Sequence, residues 1–85
     1  MPLQVEPIEI EYKRWRSKSQ SYEVIVLQVH HRQSLQGYVS TVYVRGSRHD
    51  PDKQVSWPAP VFLRSFEPLG RKLRIPTRWE RLKKD

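Results

Sequence analysis

Two apolar runs, Tyr22–His30 (YEVIVLQVH) and Tyr38–Val44 (YVSTVYV), limit what this chain can fold into. Both are rich in β-branched and aromatic residues, which favour a pleated surface over a helix. A polar connection, His31–Gly37 (HRQSLQG), joins them, so the pair is predicted to be an antiparallel hairpin. In the first run Ile25, Leu27 and Val29 fall on one face and Tyr22, Val24 and Val26 on the other. With apolar residues on both faces, this strand is expected at the centre of a sheet, covered on both sides or bent into a small barrel. A dimer would be another way to supply the missing cover, and the sequence leaves monomer or dimer undetermined. In the second run Val42 and Val44 share one face and Val39, Thr41 and Tyr43 the other.

The 85-residue chain has room for one domain and one modest core. Residues 1–7 read as an N-terminal arm. Ile8–Tyr12 alternates, with Ile8, Ile10 and Tyr12 on one face and Glu9 and Glu11 on the other, as a half-buried strand does. Ser17–Ser21 is a polar turn. Arg45–Lys53 is a long turn built on Gly46 and Asp50-Pro51-Asp52. Gln54–Trp57 is a short strand stopped by Pro58. Pro60 is placed at the start of a short helix through Val61–Ser65, and Glu67–Ile75 is a last strand kinked at Gly70. The domain is therefore predicted over residues 8–76, mostly β, with about five antiparallel strands and a short helical turn before the last. Thr77-Arg78-Trp79-Glu80 fits a capping box, which predicts a short basic C-terminal helix or tail over residues 77–85.

Net charge is +7, from 16 Lys and Arg against 9 Asp and Glu. The charge is uneven: residues 1–12 carry three Glu and no cation, whereas Lys13–Lys18 (KRWRSK) and Arg71–Arg74 (RKLR) are basic clusters. Such a balance points to a polyanion, most often nucleic acid. The predicted footprint is Lys13, Arg14, Arg16 and Lys18 with Arg71, Lys72 and Arg74, extended by Arg78 and Arg81. Contacts of this kind go to phosphate and depend steeply on salt. Trp15, set among cations, either stacks on a base or closes the first strand by packing in the core, and the core reading is favoured. The alternative partner is an acidic protein surface, met by exposed aromatics and by Arg45 and Arg48.

Other function classes find little support. There is no cysteine, so neither a disulfide nor a thiolate metal site is available. His30 and His31 are adjacent on a strand and point to opposite faces, and His49-Asp50 is turn composition, so no metal or other cofactor is expected. No serine sits in a nucleophile elbow, no glycine loop cradles a phosphate, and the carboxylates of Glu9 and Glu11 face solvent. The expectation is a binding protein rather than an enzyme. No apolar run has the length of a membrane span or a signal-peptide core, so a soluble, cytoplasmic protein with no membrane partner is expected.

Taken in order, the basic segment with Trp15, YEVIVLQV, a connection, VSTVYV, a long turn and then VSW-PAP-VFLRSFEP resemble small SH3-like β-barrel proteins of bacterial, phage and plasmid origin. The resemblance spans roughly Ile8–Ile75. It implies that Val55–Trp57, Pro58–Ser65 and Phe66–Leu69 are the short Trp-bearing strand, the helical turn and the start of the last strand. It also implies a binding module, such as an accessory protein of a phage or mobile element. No run of acidic residues and aromatics marks a proline-peptide groove.

Overall fold

A computed structural model describes residues 6–81. In chain order the elements are β1 (Tyr12–Ser17), β2 (Glu23–Ser34), β3 (Gly37–Arg45), β4 (Gln54–Pro58), α1 (Ala59–Ser65), β5 (Phe66–Lys72) and β6 (Thr77–Glu80). One sheet holds all the strands in the order β4-β3-β2-β1-β5, with every neighbour on that path antiparallel. β6 lies off the path and pairs in parallel with β2. The path is open, with β4 and β5 as its ends. The described residues thus form a small β domain with one short helix.

β2 is the centre of the sheet, as its sequence predicts, but its two apolar faces have a different origin. Val26 pairs with Val44 and Gln28 with Tyr43, so Leu27 is an extra residue in the ladder. This bulge switches the parity of the buried face. Val24 and Val26 point inward before it, and Val29 and His31 after it. Ile25, expected to share a buried face with Leu27 and Val29, is instead 41% exposed. β3 follows its alternation, with Ser40, Val42 and Val44 buried.

The first strand begins later than the alternation of Ile8–Tyr12 predicts. Ile10 is buried and Glu9 and Glu11 are exposed, as expected. However, this segment is tied down by single bonds, from Ile8 N–H to Ser40 Oγ (3.2 Å) and from Leu73 N–H to Glu11 O (2.8 Å). The ladder starts at Tyr12 and runs through the basic cluster to Ser17, between β2 and β5.

One core lies under the sheet and α1. It joins Ile10, Trp15, Val24, Val26, Val29, Val42, Val44, Ala59, Phe62, Phe66 and Ile75, with Trp57 and Tyr22 packed against it. Pro58 occupies the N-cap position of α1 with an extended ψ of 134°, so the helix starts at Ala59, one residue before the predicted Pro60, and Pro60 falls in its first turn, where a missing N–H costs nothing. Phe62 from α1 stacks on Phe66 (centroids 4.8 Å apart) and meets the Trp15 ring edge-on (4.9 Å).

Two glycines fix the corners. Gly70 (φ +75°) sits where the β1–β5 register shifts between Tyr12 and Arg14, and a Cβ there would meet nothing within 4 Å. At Gly46 (φ +124°) a Cβ would lie 2.8 Å from Glu23 O and 3.3 Å from Val24 Cα, both backbone atoms. Gly46→Ala is therefore expected to cost about 3 kcal/mol, from strain plus a clash that backbone cannot relieve, and Gly70→Ala only about 1 kcal/mol. Urea midpoints check the order. Equal losses at the two sites would contradict it.

Residues 77–80 correct the predicted C-terminal helix. Thr77–Glu80 is a strand. A helix this short gains little by itself, whereas β2 offers an unpaired edge. β1 pairs with β2 only at Glu23–Ile25, which leaves the backbone groups of Val29–Arg32 open on that side. β6 fills this edge, starting from a bond between Val29 N–H and Pro76 O (3.0 Å). Thr77 Oγ1 bonds to Ile75 O instead of capping a helix. Part of the predicted arm (residues 1–5) and of the predicted tail (residues 82–85) lies outside the described residues.

Candidate nucleic-acid interface

The pairing of β1 with β5 decides how the basic residues assemble. Lys72 lies across from Tyr12, and Leu69 across from Arg14. The backbones of the two basic clusters, far apart in sequence, are therefore neighbours at one end of the sheet, with Lys13 in the irregular stretch that faces Gly70 and Arg71. Lys18 lies at the opposite end of β1, where its N–H bonds to Ser65 O (3.0 Å). Arg78 lies on β6, in register with His30. Lys13, Arg14, Arg16, Lys18, Arg71, Lys72, Arg74, Arg78 and Arg81 are all exposed.

Trp15 leaves this set. Its side chain is 5% exposed, packs on Phe62 and Tyr12, and donates from Nε1 to Tyr12 O (2.7 Å). Alternation explains this: between exposed Arg14 and Arg16, residue 15 must point inward. A base cannot reach the ring, so stacking by Trp15 is ruled out.

The exposed cations are not equivalent. Arg14 Nη2 pairs with Glu23 Oε1 (2.9 Å), Arg16 Nε donates to Glu67 Oε1 (3.0 Å), and Lys72 Nζ pairs with Glu11 Oε2 (2.9 Å). The hydrogen bond and charge of Glu11 raise the pKa of the Lys72 ammonium above its ordinary value. These pairs are solvent-exposed and contribute little stability, but each must be broken or shared before its cation meets phosphate. Among the described residues Lys13, Lys18, Arg71, Arg74 and Arg78 form no ion pair.

Sheet register also adds residues that the linear clusters do not contain. Arg45 lies across from Ile25, and Ile25 across from Arg14. Arg45–Ile25–Arg14–Leu69 thus forms a row across β3, β2, β1 and β5 on the outer face. Tyr43, two residues before Arg45, shares this face and is exposed. The sequence signal was the alternation of Tyr43 and Arg45 with buried Val42 and Val44. That alternation shows that they point outward, but it cannot show that Arg14 is nearby.

At the other end of β2, His31 is fully buried. Its Nδ1 lies 2.8 Å from Ser40 Oγ, which already accepts from Ile8 N–H. Donation by the Ser40 hydroxyl to Nδ1 places the neutral ring proton on Nε2, 3.6 Å from Glu9 Oε1. The ring packs under Trp79 of β6 at 4.6 Å. His30 points to the other face, and its Nε2 lies 3.2 Å from Glu80 Oε2. The two rings share no ion site, and no group of three or more His, Asp or Glu among the described residues is placed to hold a metal ion.

Burial lowers the His31 pKa, opposed by the charge of Glu9 and assisted by that of His30. The unfolded chain takes up this proton near the ordinary value of 6.5, while the folded protein resists it until lower pH. Over that window the unfolded state binds more protons, so stability falls as pH drops below about 6.5. Denaturation midpoints measured between about pH 8 and pH 5 are expected to show this fall, and His31→Gln to flatten it. An equally steep profile in His31→Gln would remove His31 as the cause.

No described helix is long and apolar enough to cross a membrane. The chain matches no known family model, no curated protein and no solved structure.

Proposed function

We propose that the protein is a nucleic-acid-binding accessory protein that acts by binding rather than catalysis. The observation that carries this reading is the β1–β5 pairing, which brings the strand of Lys13, Arg14 and Arg16 alongside that of Arg71 and Lys72 in a chain of net charge +7. Arg74 extends the group, and Arg45 and Arg14 continue it over the outer face. An exposed aromatic for stacking would be Tyr43, in place of the buried Trp15. Strand order β4-β3-β2-β1-β5, with a helical turn between β4 and β5, supports an SH3-like relationship for the domain.

The test is binding of the purified protein to labelled single- and double-stranded nucleic acid across a salt series, with Arg71→Glu and Lys72→Glu as variants. Steep salt-dependent binding that these variants weaken is the expected result. A flat salt response would overturn it. The second reading, an interface for an acidic protein surface, draws on the exposed Ile25 between Arg45 and Arg14. A partner retained after nuclease treatment, with no nucleic-acid binding at low salt, would favour that reading.

A further inference from the structure

The β2–β3 hairpin carries its most exposed apolar side chain at its tip. Leu35 is 89% exposed. It sits in the turn between Ser34 and Gly37, the last paired residues of the ladder. A lone exposed leucine is ordinary, but its surroundings are not. Gln33 and Gln36 flank it and are exposed, and exposed Arg32 follows on β2. From Val24 to His49 the chain contains no Asp or Glu. The nearest carboxylate in register is Glu80, across from Arg32 on β6, and it lies at His30.

The tip is also held in shape. Ser34 Oγ donates to Gly37 O (3.0 Å) and accepts from Gln36 N–H (3.4 Å), which braces the turn. Tyr38 packs edge-on against Trp79 (6.1 Å), which fixes the base of the tip to β6. β6 ends its pairing at Arg32. Beyond that point no described strand flanks the hairpin on this side, and it extends three residues further, about 10 Å at a strand's rise per residue.

We propose that this tip enters the major groove of duplex DNA and reads A·T pairs. The proposal rests on the nucleic-acid reading above and names the substrate class. A B-DNA major groove, about 12 Å wide and about 8.5 Å deep, admits a two-stranded ribbon, and a projection of about 10 Å reaches its floor. Glutamine amides pair in two-pronged fashion with N6 and N7 of adenine, and an apolar side chain contacts the thymine methyl. Gln33, Gln36 and Leu35 supply that chemistry, with Arg32 placed for phosphate. The deep, narrow major groove of duplex RNA would not admit the tip. The basic surface fixes the protein on the backbone while the tip selects sequence.

The test is fluorescence anisotropy of the full chain with duplexes of A·T and G·C sequence at one salt concentration. Further A·T duplexes carry deoxyuridine for thymidine, which removes only the methyl, or 7-deaza-adenine, which removes N7. The expected result is about tenfold tighter binding to A·T than to G·C duplex, a loss on either base replacement, and weaker binding to duplex RNA. Leu35→Ala should make binding indifferent to the methyl, and Gln33→Ala with Gln36→Ala indifferent to N7. These side chains are exposed, and an unchanged melting temperature confirms that the variants fold. Equal affinity for every DNA duplex, with Arg71→Glu still weakening binding, would overturn the hairpin proposal and leave the basic surface standing. No duplex binding at low salt would overturn both.

Discussion

Replacing Phe62 by alanine is expected to cost about 3–5 kcal/mol, the largest loss from any single substitution in this protein. Phe62 is fully buried and touches both other large core rings, Trp15 and Phe66. It also anchors α1, whose buried residues are only Ala59 and Phe62. Removing the ring leaves a cavity bounded by two aromatic side chains and a rigid sheet, which cannot collapse to fill it. A domain of this length is stable by about 4–13 kcal/mol, so the loss takes roughly a quarter of it or more. The melting temperature should fall by roughly 15–30 °C. Leu63, the next residue, is 37% exposed on the same helix, and Leu63→Ala is expected to cost less than about 1 kcal/mol. Chemical denaturation of both variants checks the contrast. A Phe62→Ala loss under about 1 kcal/mol would mean that the core is not organised around this ring.

The second large effect is on nucleic-acid affinity. Each phosphate contact contributes about 0.9 to the slope of log affinity against log salt. Six contacts, drawn from Lys13, Lys18, Arg45, Arg71, Arg74 and Arg78, would give a fall of about three orders of magnitude between about 50 and 200 mM salt. Arg71→Glu with Lys72→Glu should lower the slope by about 1, since only Arg71 is among these six, and weaken binding to all sequences alike. The ion pairs refine this. Arg71 has no carboxylate partner among the described residues, whereas Arg16 is committed to Glu67. Arg71→Gln should therefore weaken binding more than Arg16→Gln. The reverse order would place the footprint at the Ser17–Ser21 end of β1 instead.

This division bears on how the two surfaces would cooperate. On these two proposals the β1–β5 end would supply charge without base selection, and the hairpin tip would supply selection with little charge. Phosphate contacts hold register and base edges set preference, so variants at the two places should change different observables. One set should move the salt slope, and the other the ratio between sequences.

Much of the fold was legible in the chain because burial in a sheet writes a period of two into the sequence. That period located β2, β3 and the faces of Val42, Val44 and Ile10, and the proline-bounded segment marked the helical turn before β5. Charge clusters located Lys13, Arg14, Arg16, Lys18, Arg71, Lys72 and Arg74, all of which the structure exposes, but not Arg45. Three things were decided only by tertiary structure. The bulge at Leu27 reversed the buried face of β2, and a sequence with apolar residues at both parities contains no mark of where the switch falls. Thr77–Glu80 became a strand because β1 leaves half of β2 unpaired, and an open edge 48 residues earlier outweighs a local capping pattern. The neighbours of each cation came from register: Arg14, Arg16 and Lys72 found carboxylates on other strands, while the strands of Lys13 and Arg71 came together. Local chemistry selects the element and its outward face, but only the pairing of distant strands determines which outward residues meet.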